Sequence, residues 1–389
     1  MRIMILGGDG YLGWPLSLHL SAAGHNVAIV DNGARRDIDR QLGTNSVVPI
    51  LNLYKRINAW REASGVWLKR YDVDLLNYSD LRHALIDFQP DAVVHLAEQR
   101  SAPYSMMGQQ EATYTQRNNV IGTLNLIHAV AEIDPSVHIV KLGTMGEYGT
   151  PNIDIEEGWL DVDHNGRHDR VLYPKKAGSW YHLSKVHDSH NLEFACRAWN
   201  LRVTDLNQGV VYGHETDQTI LTLAPELATR LDYDAIFGTV VNRFAVQAAL
   251  GHPLAIYGNG TQTRGFISIR DVMQCIELAI HNPPKSGEFV VFNQMTEAFS
   301  IVELAKRVAR VDPNGTGVRY FYNPRVEQED HYYNVKHTGL EELGLVPHPL
   351  HDDDIAALIE TAQRYRDRVD LSKMDPTILW RPRHNRPMA

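Results

Sequence analysis

Through the first half of the chain, short apolar runs alternate with longer stretches whose apolar residues recur at helical spacing. Residues 3–6 and 27–30 are continuous apolar runs, and 67–71, 92–96, 138–142 and 203–206 are interrupted ones. Each predicts a buried strand. The helical pattern falls on 11–23, 79–88, 119–131 and 180–199. Strands separated by helices imply a parallel sheet covered on both faces, with right-handed crossovers. A polar stretch, 32–65, breaks the rhythm and reads as an insertion with some helix. Beyond residue 207 the elements shorten and turns multiply, although 271–280 reads as a helix and 289–292 as a strand able to rejoin the first sheet. The predicted fold is α/β: a doubly wound parallel sheet of Rossmann type with a smaller C-terminal substrate-binding lobe. Residues 1–206 form the first unit, which regains 238–250 and 266–294, and 207–389 supply most of a discontinuous second one. The aperiodic tail 381–389 reads as a frayed end.

Composition narrows the class. Among 389 residues, 38 Lys and Arg face 47 Asp and Glu, a formal charge of −9. That balance argues against a general nucleic-acid binder, which needs clustered cations. An anionic substrate therefore requires a local basic pocket. Only Cys196 and Cys275 occur, far apart, so neither a disulfide framework nor a zinc–thiolate site is expected. The chain opens directly on a strand and holds no long apolar run, which predicts a cytoplasmic protein that neither carries a secretory leader nor spans a membrane.

The first chemical signal is Gly7-Gly8-Asp9-Gly10-Tyr11-Leu12-Gly13, which follows the first strand and opens the first helix. Gly7 allows the turn, Gly10 admits a pyrophosphate to the backbone, and Gly13 lets helix and strand pack closely. The helix N-terminus faces the phosphates. Asp31 ends the second predicted strand, where a carboxylate accepts both ribose hydroxyls of NAD and repels a 2′-phosphate. Arg35 and Arg36 follow it and would suit NADP; the carboxylate favours NAD. Asp74 is a candidate for the adenine or a loop cap. Tyr11, Leu12, Asn32, Leu75, Leu96 and Asn118 join these as cofactor contacts.

The second signal is Tyr181-His-Leu-Ser-Lys185. Residues four apart share a helix face, so the Lys185 ammonium can lower the Tyr181 phenol toward a usable base. Thr144, after the fifth strand, is placed to hydrogen-bond the same sugar hydroxyl.

Together these motifs resemble the nucleotide-sugar epimerases and dehydratases, and the resemblance covers most of the chain. It implies that a C4 hydroxyl gives its proton to Tyr181 and its hydride to NAD, and that the 4-keto sugar acidifies the C5 hydrogen. Longer runs, at 141–157, 181–191, 205–213, 230–235, 323–327 and 331–334, resemble the UDP-sulfoquinovose synthases of that family. This resemblance implies UDP-glucose and sulfite as substrates, NAD recycled within the cycle, C4 oxidation, C5/C6 water elimination, sulfite addition at C6 and C4 re-reduction. A homodimer through 119–131 and 180–199 is the family expectation.

One departure matters. Ordinary dehydratases carry Thr-Asp-Glu where this chain has Thr144-Met-Gly-Glu147. Met145 cannot donate a proton, so His182 or Glu147 is the candidate for the elimination. Gln99, Arg100 and Ser101 are candidates for sulfite. Arg264 and Arg325 sit where the family places diphosphate-binding arginines, and Asn207, Gln208, Gln262 and His331 are sugar or ribose candidates. Arg243, following Asn242, is a further diphosphate cation or, alternatively, a surface charge. No catalytic metal is expected. A UDP-sugar 4-epimerase or 4,6-dehydratase shares every class motif, and a non-catalytic dinucleotide sensor is the alternative from another class.

Overall fold

A computed structural model describes residues 1–222, 224–328 and 330–380; the tail 381–389, predicted to fray, lies outside the described residues. Seven parallel strands form the central sheet: β1 (Arg2–Leu6), β2 (Asn26–Val30), β3 (Lys69–Tyr71), β4 (Ala92–His95), β5 (His138–Thr144), β6 (Arg202–Gln208) and β7 (Phe289–Gln294). Their order is β3-β2-β1-β4-β5-β6-β7. The direction of winding reverses between β1 and β4, which opens a crevice above the carboxyl ends of those strands. Gly7, Leu96 and Thr144 stand at that edge.

Both faces of the sheet are covered, which explains why β1 and β4 are apolar at nearly every position. On one face pack Gly13–Ala22, Leu53–Ser64 and Ile269–His281; on the other, Tyr78–Phe88, Gly122–Ile133 and Trp180–Trp199. Each fully buried Val, Leu or Ile contributes about 1.5–3 kcal/mol. The predicted insertion folds into two helices, Ala34–Leu42 and Leu53–Ser64. The helix predicted over 119–131 is longer. It begins at Gln109, passes through a π-helical turn at Arg117–Ile121 and ends at Ile133, because no proline intervenes between Gly108 and Asp134.

A second core lies beyond β6. It joins Val240–Ala249, Ile301–Val311 and Asp352–Arg364 to Val210–Tyr212, Leu254–Tyr257 and Thr263–Ser268. Val240–Ala249 is embedded there, with Phe244 and Val246 buried, whereas the sequence placed 238–250 with the first unit. Trp159–His164 and Arg167–Leu172 form a separate antiparallel hairpin closed by Asn165-Gly166, both in left-handed backbone. Among the described residues, no helix is long and apolar enough to cross a membrane.

Candidate active site

The glycine loop is built around close approach. Gly7 has φ +87°, and a Cβ on it would meet the Leu96 carbonyl carbon at 2.7 Å. A Cβ on Gly13 would fall 2.1 Å from the Gly7 oxygen, so the helix can start there only as glycine. The crevice above this loop is lined by Gly10, Tyr11, Leu12, Asp31, Asn32, Asp74, Leu75, Leu96 and Asn118, the sequence's cofactor candidates. The Asp31 carboxylate is held by backbone donors, Asp9 N–H at 2.9 Å and Gly33 N–H at 2.8 Å. Asp74 does what a loop cap does, accepting from Leu76 N–H at 2.9 Å, while also lining the crevice.

Arg35 and Arg36 line the crevice but are engaged. Arg36 forks onto Asp9 at 2.5 and 3.0 Å, and Asp9 also accepts from the fully buried Arg56 at 2.7 Å. Arg35 pairs with Asp39 and Asp232 and stacks on Phe237. Guanidinium groups already committed to carboxylates leave Asp31 to set the preference, which fits the nicotinamide dinucleotide without a 2′-phosphate. The glycine cradle and this carboxylate fit NAD.

The carboxyl end of β5 passes into a tight 3₁₀ turn, Met145–Glu147, capped reciprocally: Gly146 N–H donates to Thr144 Oγ at 3.2 Å and Thr144 N–H to Glu147 Oε1 at 3.1 Å. Opposite stands the first turn of Trp180–Trp199, whose Ser179 cap accepts from His182 N–H. Tyr181 therefore lies where the crevice opens into a second, wider cleft, and it lines both. Burial raises its phenol pKa, and the Lys185 ammonium acts against that rise. Lys185 also pairs with buried Glu98 and donates to the Leu142 carbonyl at 2.5 Å. Sequence reasoning missed Glu98; its one signal was membership of the loop after β4.

Thr144, Met145, Gly146 and His182 line the wider cleft. A Cβ on Gly146 would lie 2.3 Å from His182 Nε2, so the glycine makes room for the ring. Burial first, and Arg325 second, push the His182 pKa down to about 3. The imidazole is thus neutral near pH 7. Glu147 points away from both clefts. Its oxygens meet Lys141 at 3.4 Å, Lys175, and Ser189 at 3.1 Å, and those ammonium groups bring its pKa down to about 2 despite complete burial. It is a fixed anion beneath the turn, not a free base.

Across the cleft the second lobe supplies cations. Arg264 pairs with Glu327, and Arg325 lies 5.4 Å from the Trp380 ring centroid. Arg243, left open between cleft and surface by the sequence, is buried and lines the cleft, donating to Tyr257 Oη at 3.1 Å. Its helix is buried from Val241 to Ala249, and burial of the whole segment takes the guanidinium with it. Gln208 and Gln262 line the cleft, and Gln262 donates to the Tyr257 carbonyl at 2.9 Å. His331 is next to Arg264, at 3.5 Å.

Other candidates are placed differently. Asn207 is fully buried and donates to Tyr148 Oη at 2.7 Å, outside the lining of either cleft. The Gln99 amide is consumed by Ser101 and Thr115, and the Ser101 hydroxyl donates to the Ile236 carbonyl at 2.5 Å. Arg100 borders both clefts and is paired with Asp232 at 2.5 Å.

Residues 3–293 match the NAD dependent epimerase/dehydratase family. The chain is 53% identical over 383 residues to the chloroplastic UDP-sulfoquinovose synthase of Spinacia oleracea, covering 98% of this chain and 79% of the relative. It is 43% identical to the UDP-sulfoquinovose synthase of Sulfolobus acidocaldarius, covering 98% of each. The UDP-glucuronic acid 4-epimerase of Bacillus cereus, solved with UDP-glucuronic acid and NAD, shares the fold with a TM-score of 0.68 at 19% identity, over 94% of this chain and 99% of that one.

Proposed function

We propose, for a chain that belongs to the NAD dependent epimerase/dehydratase family and within it groups with the UDP-sulfoquinovose synthases, a specific division of labour in converting UDP-glucose and sulfite to UDP-sulfoquinovose and water. The observation that carries it is Tyr181, shared by the dinucleotide crevice and the arginine-lined cleft.

Held by the glycine loop and Asp31, NAD would supply the reversible C4 oxidation, taking up and giving back one hydride. Tyr181 takes the C4 hydroxyl proton, and Thr144 holds the same oxygen. The resulting ketone acidifies C5–H; neutral His182 takes that proton and passes it to the departing C6 hydroxyl, which leaves as water. Sulfite then forms the C6–S bond on the 4-keto-5-ene, and C5 takes up the proton that bisulfite brings. Met145, beside His182, offers no proton of its own. Arg243, Arg264 and Arg325 neutralise the diphosphate, with Gln208, Gln262 and His331 as polar contacts. Arg100, at the mouth shared by the clefts, is the cation for sulfite. Lys185 and Glu98 keep the Tyr181 face charged and dry.

Two further parts complete the proposal. A homodimer forms through Gly122–Ile133 and Trp180–Trp199, supported by exposed Ile121, Phe194 and Trp199 on or beside those helices. Sedimentation of wild type and Phe194→Glu decides it. A reducing, cytoplasmic setting is supported by the buried free thiols Cys196 and Cys275, and cell fractionation tests it.

The deciding experiment is mass spectrometry of purified enzyme with UDP-glucose, with and without sulfite. A sulfonate in place of the C6 hydroxyl, formed without added NADH, supports the reaction. Sulfite-independent UDP-galactose or a 4-keto-6-deoxy sugar would replace it with epimerase or dehydratase activity.

A further inference from the structure

At the end of the sheet away from the crevice, side chains that the reaction does not use converge between two helices. His25 immediately precedes β2, whereas Asp31 of the crevice follows the other end of that strand. Glu277 and His281 are four residues apart in the last turns of Ile269–His281 and so share a face. One donor atom from each of His25, Glu277 and His281 lies within 4.8 Å of the others. The His25 and His281 ring centroids are 5.4 Å apart. His19, in the last turn of Gly13–Ala22, contacts Glu277 Oε2 through Nε2 at 2.7 Å.

Two imidazoles and one carboxylate suit a borderline divalent cation, with an open position for water. Both helices end here, so their C-terminal carbonyls favour positive charge. His19 orients the carboxylate as an outer partner does in metal sites. The Met1 amine is the cation that faces the cluster, 3.4 Å from His25 Nδ1, and a bound metal has to displace it.

We propose that His25, Glu277 and His281 form a surface site for a zinc-type divalent cation, separate from the active site, that ties the turn after Gly13–Ala22 to Ile269–His281. Its role is to brace the glycine-loop helix from its far end, not to take part in the chemistry.

The test uses untagged, full-length enzyme with its NAD, treated with chelator and titrated with Zn²⁺ against a chromophoric competitor. Because the chain has 19 histidines, the decisive quantity is the difference between variants. Wild type is expected to hold one tight equivalent that His25→Ala, His281→Ala and Glu277→Gln lose. His19→Ala keeps the stoichiometry and weakens affinity about 10- to 100-fold. Zinc raises the melting temperature of wild type and not of His281→Ala, while turnover is unchanged. Absence of a tight equivalent in wild type overturns the site, as does its persistence in folded Glu277→Gln and His25→Ala. Loss on replacing exposed His187 instead would also overturn it.

Discussion

Gly146 and His182 occupy one space: a Cβ at position 146 would lie 2.3 Å from the imidazole Nε2. The glycine is therefore part of how the histidine reaches the cleft. Gly146→Ala is expected to push the ring from its place and lower kcat/KM for UDP-glucose with sulfite about 100-fold, the usual cost of displacing a reacting group by about 1 Å. NAD content and the unfolding midpoint should stay at wild-type values. Steady-state kinetics with a parallel NAD fluorescence measurement check this, and unchanged kinetics would remove His182 from the elimination.

Glu147 should behave in the opposite way. It is enclosed by Lys141, Lys175 and Ser189, so Glu147→Gln leaves Lys175 without its carboxylate, while Lys141 keeps Asp205 at 3.3 Å. Removing one partner of a buried pair costs about 3–5 kcal/mol. Urea denaturation is expected to show that loss, with NAD binding and activity declining together as the fold weakens. A Glu147→Gln enzyme of full stability that cannot eliminate water would make the carboxylate the base instead.

The contrast between these two residues shows what the sequence made legible. Periodicity identified the strands of the main sheet and the long helix Trp180–Trp199, because burial on both faces leaves continuous apolar runs. The glycine spacing and the Tyr181–Lys185 pair are local, so their chemistry could be read directly. Glu98, Lys141 and Lys175 gave no such signal, since each matters only through partners distant in the chain. Arg243 stayed open between cleft and surface for a related reason: a guanidinium declares its burial only when the opposite lobe is in place. Glu147 and His182 could not be separated from sequence, because which one faces the cleft depends on the turn that Gly146 permits.

Acid sensitivity offers a third check. Burial pushes His214 down to about 4, against about 6.5 in an unfolded chain. Between those values the unfolded state holds more protons, so this contribution is complete above about pH 6.5 and is lost as pH falls. His214→Gln removes it. The unfolding free energy of wild type relative to this variant should fall by about 2 kcal/mol from pH 6.5 to pH 5. Denaturation at several pH values measures the difference, and a constant difference would mean that His214 is charged in the folded protein.

Asp9 occupies the arginines beside the cofactor loop, and its removal is expected to change which dinucleotide the loop prefers. Arg36 donates to it twice and Arg56 once, so neither cation is available to a 2′-phosphate while Asp31 accepts ribose hydroxyls. Wild type should bind NAD in strong preference to NADP. Asp9→Asn keeps the shape but removes the charge, which releases Arg36 at the crevice and leaves Arg56 buried without a carboxylate. One new charge-assisted hydrogen bond is worth about 1.5–3 kcal/mol, so the preference should narrow by at least about 10-fold. The uncompensated Arg56 should cost about 3 kcal/mol of stability at the same time. Fluorescence titration with both dinucleotides, beside urea denaturation, reads the two effects separately. A variant that loses stability but keeps the full NAD preference would show that Asp31 alone excludes the 2′-phosphate, and that the arginines serve only to hold the loop.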